Sequence, residues 1–147
     1  MATGTWKWYG LGLQAFFEKV IDWKDDAGIK IALTTSSYTP DQDTHDFFDD
    51  VTNEVANGNG YTSGGNALAS KTIGYTAGTN VLKLDAADAQ WTAATFTARV
   101  AVIYLSTGVA GTSPLIGYCV FDGDVSPSAG TLDITFSADG ILKVTAA

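Results

Sequence analysis

The residue types able to do chemistry concentrate in one short stretch. Asp41, Asp43, Asp46, Asp49 and Asp50 crowd around His45, the only histidine of the chain. Oxygen-rich clusters bind calcium, but a calcium loop alternates its acids and then needs a glycine for its sharp turn. Here those two later positions hold His45 and Asp46, so the pattern fails. A histidine can also serve a nucleophilic serine, yet no Gly-x-Ser-x-Gly elbow leads into a helix. Cys119 lies among Tyr118, Val120 and Phe121, a strand-like setting that reads as a buried, inert thiol. A single cysteine excludes an internal disulfide framework and a zinc site built from several cysteines. Asp122-Gly123-Asp124, just before Ser126-Pro127-Ser128, reads as a turn. The glycines between 58 and 65 lack the strand-then-helix frame of a phosphate loop. The expectation is a protein without catalytic residues, metal or cofactor.

These residues must be positioned by a mainly β chain. Leu13, Phe16, Phe17, Val20 and Ile21 follow helical spacing, while Gly10 and Gly12 argue against an N-terminal extension of that helix. Ile29 to Thr35 alternates as a half-buried strand, with Ile29, Ile31 and Leu33 on one face. Thr39-Pro40-Asp41-Gln42 has the form of a helix start, with Thr39 as cap and Pro40 at the first position. A short helix from Pro40 to about Asp50 would bring Phe47 and Val51 together and gather acids at its positive end. Residues 53–65 read as a loop around Tyr61. Strands are expected over Ala67–Tyr75, Val81–Asp85, Ala93–Ser106, Leu115–Phe121, Thr131–Phe136 and Ile141–Thr145. Leu132, Ile134 and Phe136 should point inward. Ala98–Leu105 is apolar almost throughout, as a central strand covered on both faces would be. Ser137-Ala138-Asp139-Gly140 reads as a hairpin turn. The sum is an antiparallel β-sandwich of about 6–8 strands, with one N-terminal helix and one short helix. Residues 11–147 form its single domain, preceded by an aromatic arm over residues 1–10.

Composition narrows the partners. The chain has 147 residues and a net charge of −8, and Arg99 is its only arginine beside seven lysines. Nucleic-acid binding needs clustered cations to displace counterions from phosphates, so nucleic acid is excluded, and an anionic membrane with it. Charged residues make up 16%, well below the roughly 25% of a typical soluble domain. Such a surface suits a protein that lives against a partner. No apolar run is long enough for a membrane helix, and no secretory leader is read at the N-terminus, so synthesis and folding in a cytoplasm are expected.

The stretch Ile29–Val51, reading IKIALTTSSYTPDQDTHDFFDDV, resembles a recurring pattern in small virion structural proteins of tailed bacteriophages. Glu54-Val55, Gly60-Tyr61-Thr62 with Gly64-Gly65, Thr97–Tyr104 and Ser113–Tyr118 resemble further motifs of that group. The likeness runs from about residue 20 to the end. Members are labelled virion structural, minor capsid or head decoration proteins, and some as tail or collar proteins. The resemblance implies a non-enzymatic virion component on the outer capsid surface, made in the host bacterial cytoplasm. The implied partners are the major capsid protein and further copies of the chain, with a trimer suited to local threefold positions. Trp6, Trp8 and Tyr9 of the arm, with Tyr38 and Tyr61 from loops, are the expected contact residues, since aromatic anchors dominate interfaces. A tail, collar or fibre-associated module, able to bind carbohydrate through exposed aromatics, is the alternative expectation.

Overall fold

The structure is a computed structural model and describes residues 2–146; Met1 of the expected arm and Ala147 lie outside the described residues. Its centre is β7 (Ala98–Leu105), whose apolar run is buried along most of its length. It pairs antiparallel with β2 (Ile29–Thr34) on one side and with β8 (Leu115–Val125) on the other. β1 (Gly4–Trp8) adds to the free side of β8, and β3 (Asn66–Ala67) to that of β2. This five-stranded sheet has the order β1-β8-β7-β2-β3. Two smaller antiparallel sheets complete the fold. One has the order β10-β5-β4, from β10 (Leu142–Thr145), β5 (Val81–Asp85) and β4 (Thr72–Thr76); the other pairs β6 (Ala89–Ala94) with β9 (Gly130–Ile134).

The large sheet is buried on both faces. Ile29, Ile31, Leu33, Ala101, Ile103, Ile116, Cys119 and Phe121 face the smaller sheets and pack with Leu84, Trp91, Leu132, Ile134 and Leu142. That packing makes the sandwich expected from alternation. Ala32, Val100, Val102, Tyr104, Leu115 and Tyr118 point the other way and form a second cluster with Tyr9, Tyr38, Phe48 and Val51. Hence β2 is not half-buried as expected: Ala32 and Thr34 are fully buried under the chain from 35 to 52.

That covering segment is not the expected helix. Only Phe48–Asp50 makes a single 3-10 turn. Asp41 spends its carboxylate locally, accepting the N–H groups of Asp43 and Thr44 at 3.0 and 3.1 Å. The His45 Nδ1 accepts the Asp41 N–H at 3.2 Å. Such bonds compete with helical ones. The segment is also fastened to β8 and the turn before it, through Leu115 N–H to the Asp46 carbonyl and Phe48 N–H to the Ser113 carbonyl, both 2.9 Å. Phe48, rather than Phe47, then stacks on Tyr104 at 3.9 Å.

Three further expectations change for one physical reason: strands end where the chain crosses between sheets. Ala67–Tyr75 is broken at Ser70, which takes a left-handed φ of 51°, as β3 leaves the large sheet for the smaller one. Ala93–Ser106 is likewise broken after Ala94, where β6 ends, and β7 begins only at Ala98 in a different sheet. These two breaks, with the arm itself forming β1, bring the strands among the described residues to ten. The turn at Ser137–Gly140 forms, with Gly140 N–H on the Ser137 carbonyl at 2.8 Å, but it joins β9 to β10 in different sheets and is no hairpin. Asp122–Asp124 is no turn either. It continues β8, where Asp122 accepts the Thr3 hydroxyl at 2.8 Å and Asp124 pairs with Arg99 at 3.3 Å.

The helix α1 (Gly10–Phe17) lies three to four residues nearer the N-terminus than the apolar spacing suggests. Gly12, taken from sequence as a helix-breaker, is buried inside it, because a Cβ there would be driven into the Leu115 carbonyl. A glycine lets the helix lie directly on β8. Replacing Gly12→Ala should therefore cost roughly 1–3 kcal/mol of stability through overpacking, although alanine is the better helix former. Denaturant unfolding measures this, and an unchanged midpoint would contradict the close approach.

Candidate interaction surface

The sequence singled out five aromatic residues, and the structure separates them. The aromatic arm is strand β1, in register with β8 from Gly4 opposite Phe121 to Trp8 opposite Gly117. Pairing along an edge gives the segment a fixed place in the sheet in place of a loose arm. Trp6 is half-buried and tilted against Phe136, with ring centres 5.8 Å apart. Trp8 is also half-buried; its indole N–H donates to the Lys143 carbonyl at 2.9 Å, and its ring meets Phe16 edge-on.

The three tyrosines lie inside the fold. Tyr9 and Tyr38 share a hydrogen bond of 2.7 Å, and the Tyr38 hydroxyl reaches His45 Nδ1 at 3.0 Å. Burial, first of all, pushes the ionisation of both phenols upward. The tyrosine pair and His45 thus fasten the covering segment to the second core cluster. Tyr61 does the same for the loop at 53–65. Its hydroxyl donates to Glu54 at 2.7 Å and accepts the Leu33 N–H at 3.1 Å, and burial again raises its ionisation. Beside it, Gly65 holds a positive φ of 76° where a Cβ would strike the Ile31 carbonyl. An isolated tyrosine in a glycine-rich loop looked like a contact residue, but its hydroxyl is needed by a buried strand.

The acidic stretch is similarly occupied. Hydrogen bonds from Asp43 and Thr44 hold Asp41 below the usual carboxylate range. Asp46 is pushed upward by desolvation and by the neighbouring Asp50 carboxylate. Among the described residues, no three His, Cys, Asp or Glu side chains are grouped so that they could hold a metal ion. Cys119 is buried, and desolvation lifts its thiol to about 11.

Among its polar groups the surface also presents an apolar patch. An open groove of about 210 Å3 runs between α1 and the three-stranded sheet, lined by Trp8, Leu13, Phe16, Phe17, Ile73, Leu82, Leu84 and Val144. Its rim is exposed: Phe17 by 77%, Ile73 by 48%, with Tyr75 beside it in the strand at 55%. Val20, Val109 and Val120 are exposed elsewhere. The sequence reading placed Phe17 on the buried helix face and passed over Ile73 and Tyr75. The helix ends at Phe17, and Lys19 turns the chain away with a φ of 62°, so the later part of the apolar stripe never forms. For β4 the available signal was the uncharged run Thr72-Ile73-Gly74-Tyr75-Thr76 itself.

No helix among the described residues is long and apolar enough to cross a membrane. Compared with known proteins, the chain matches no family model, and no curated protein or solved structure is significantly similar to it.

Two outcomes follow from these placements. Tyr61→Phe should lower stability by about 1–3 kcal/mol, because the Leu33 N–H loses its acceptor and Glu54 a donor; thermal unfolding reads this. Cys119 should resist alkylation by iodoacetamide at mildly alkaline pH while the chain is folded, and react once it is unfolded in denaturant. Rapid labelling of the folded chain would show that the thiol is accessible.

Proposed function

We propose that this chain is a head decoration protein of a tailed bacteriophage, which binds the outer face of the assembled capsid and reinforces it. Two kinds of support meet in this reading. The first is the likeness of residues 29–51, and of the later motifs, to virion structural proteins. The second, which carries the proposal, is the character of the surface. Several apolar side chains stand exposed on it, led by Phe17, Val109, Tyr75 and Val20. The distinctive polar side chains His45, Glu54, Tyr9, Tyr38 and Tyr61 are engaged in holding loops to the sheet. Such a molecule is equipped for adhesion.

The mechanism is linkage. A protein that binds the assembled shell and not its dissociated subunits stabilises the shell by mass action. Many copies contacting the major capsid protein and one another would add such increments over the whole head. The weak charge of the surface helps, because few ionic groups lose water on docking. A negative protein on the outside of the shell also stays clear of packaged DNA.

Electron microscopy of virions labelled with an antibody to this chain tests the reading. Label should cover the head, in copy numbers that scale with the major capsid protein. Empty shells should also disrupt at higher temperature as the protein is added. Label confined to tail, collar or fibres would overturn the proposal in favour of a tail-associated module.

A further inference from the structure

We infer that β4 is a self-pairing edge, through which two copies of this chain join antiparallel about a two-fold axis at Gly74. β4 is the terminal strand of its sheet, hydrogen-bonded to β5 alone among the described strands. All five of its residues are exposed. An exposed edge offers a row of unpaired backbone donors and acceptors, and folded proteins normally guard it with lysine, proline or a bulge. β4 has none of these: Thr72-Ile73-Gly74-Tyr75-Thr76 is uncharged, free of proline and in regular register with β5. What fits such an edge is another strand.

The strand's own pattern selects a second copy as that partner. Thr-Ile-Gly-Tyr-Thr has the same polarity and bulk read in either direction. Antiparallel pairing about Gly74 sets Thr72 against the other copy's Thr76, Ile73 against its Tyr75, and Gly74 against Gly74. Threonine pairs and aromatic–β-branched pairs are favourable cross-strand neighbours. A two-fold contact needs this self-complementarity, since each copy presents the same patch. The three-stranded sheet would become one continuous sheet of six strands.

Charge and area agree. The molecule carries −8, so copies repel unless they meet where acids are absent. No acid occurs between Glu54 and Asp85, a span that contains all of β4. Ile73 and Tyr75 are in register with Leu84 and Leu82, on the sheet face that lines the groove beside Phe17. Aromatic side chains bury ~150–250 Å2 each. Counting only their exposed fractions, both copies of Phe17, Ile73 and Tyr75 bring several hundred Å2 of side chain to the seam besides the paired backbone, near the lower end of specific interfaces. The inference deepens the self-association in the proposed function. Its readout is in free solution, where capsid binding plays no part, so the two can fail separately.

Gly74 provides the test. A Cβ there meets nothing within 4 Å, so side chains fit the single chain. Gly74→Glu sets a carboxylate beside Lys83 in its own sheet but against the same carboxylate of the second copy. By sedimentation at micromolar concentration, the full chain should have twice its 15.4 kDa mass and the Gly74→Glu variant the single-chain mass, with unchanged circular dichroism. Gly74→Cys should cross-link into a disulfide dimer under mild oxidation. Gly78→Cys, equally open in the single chain but far from the axis, should not. A wild-type chain at the mass of one or three copies would overturn the inference. So would a dimer that survives Gly74→Glu, or equal cross-linking by the two cysteine variants.

Discussion

The structure depends on one constraint: the central sheet is apolar on both faces, and each face must be kept from water. β2, β7 and β8 carry Ile29, Ile31, Leu33, Ala101, Ile103 and Ile116 on one side and Ala32, Val100, Val102, Tyr104 and Leu115 on the other. An antiparallel sheet usually leaves one face to solvent. This one requires two covers, and the chain makes them differently. The smaller sheets supply a regular β layer. The other face is closed by irregular chain, which has no ladder of its own and must be fastened point by point.

The polar chemistry follows from that difference. Backbone groups in an irregular cover need partners once they are buried. The Asp41 carboxylate serves the turn, and the Tyr38 hydroxyl ties His45 to Tyr9. The Asp46 carbonyl and the Phe48 N–H hold the start of β8 and the turn before it. On the opposite face, Tyr61 links Glu54 to the backbone of β2. Residues that in isolation resemble a cation site or a contact loop are the fastenings of a cover. The same demand for close layers fixes glycine at Gly12 and Gly65, where the helix and the 53–65 loop touch strand backbone.

Covering the sheet leaves apolar surface elsewhere. Eight residues of α1 cannot roof the whole three-stranded sheet, and at its edge Ile73 and Tyr75 of β4 stay about half exposed. Apolar side chains gathered at one rim are characteristic of interaction sites rather than of ordinary surface. The low charge of the chain has its counterpart here, in a long span without acids that includes an unguarded edge.

The sequence by itself determined the β class, the antiparallel character, the strand cores and the central place of β7. Those features are written in local alternation and in runs of apolar residues, which each segment carries alone. Leu132, Ile134 and Phe136 point inward as their spacing requires, and Cys119 is buried as its neighbours suggest. Only the tertiary structure decided where strands end, which sheet each joins, and which aromatics remain outside. Alternation is the same on either side of a crossing, so nothing local marks Ser70 as the exit from one sheet. A capping pattern at Thr39–Gln42 cannot report that the backbone beyond it will be needed by β8. Tyr61 and Tyr75 are both tyrosines among glycine and threonine. One is buried and the other exposed because a strand N–H lies 3.1 Å from the first hydroxyl while the second stands at the end of a sheet, a distinction made by residues distant in the chain.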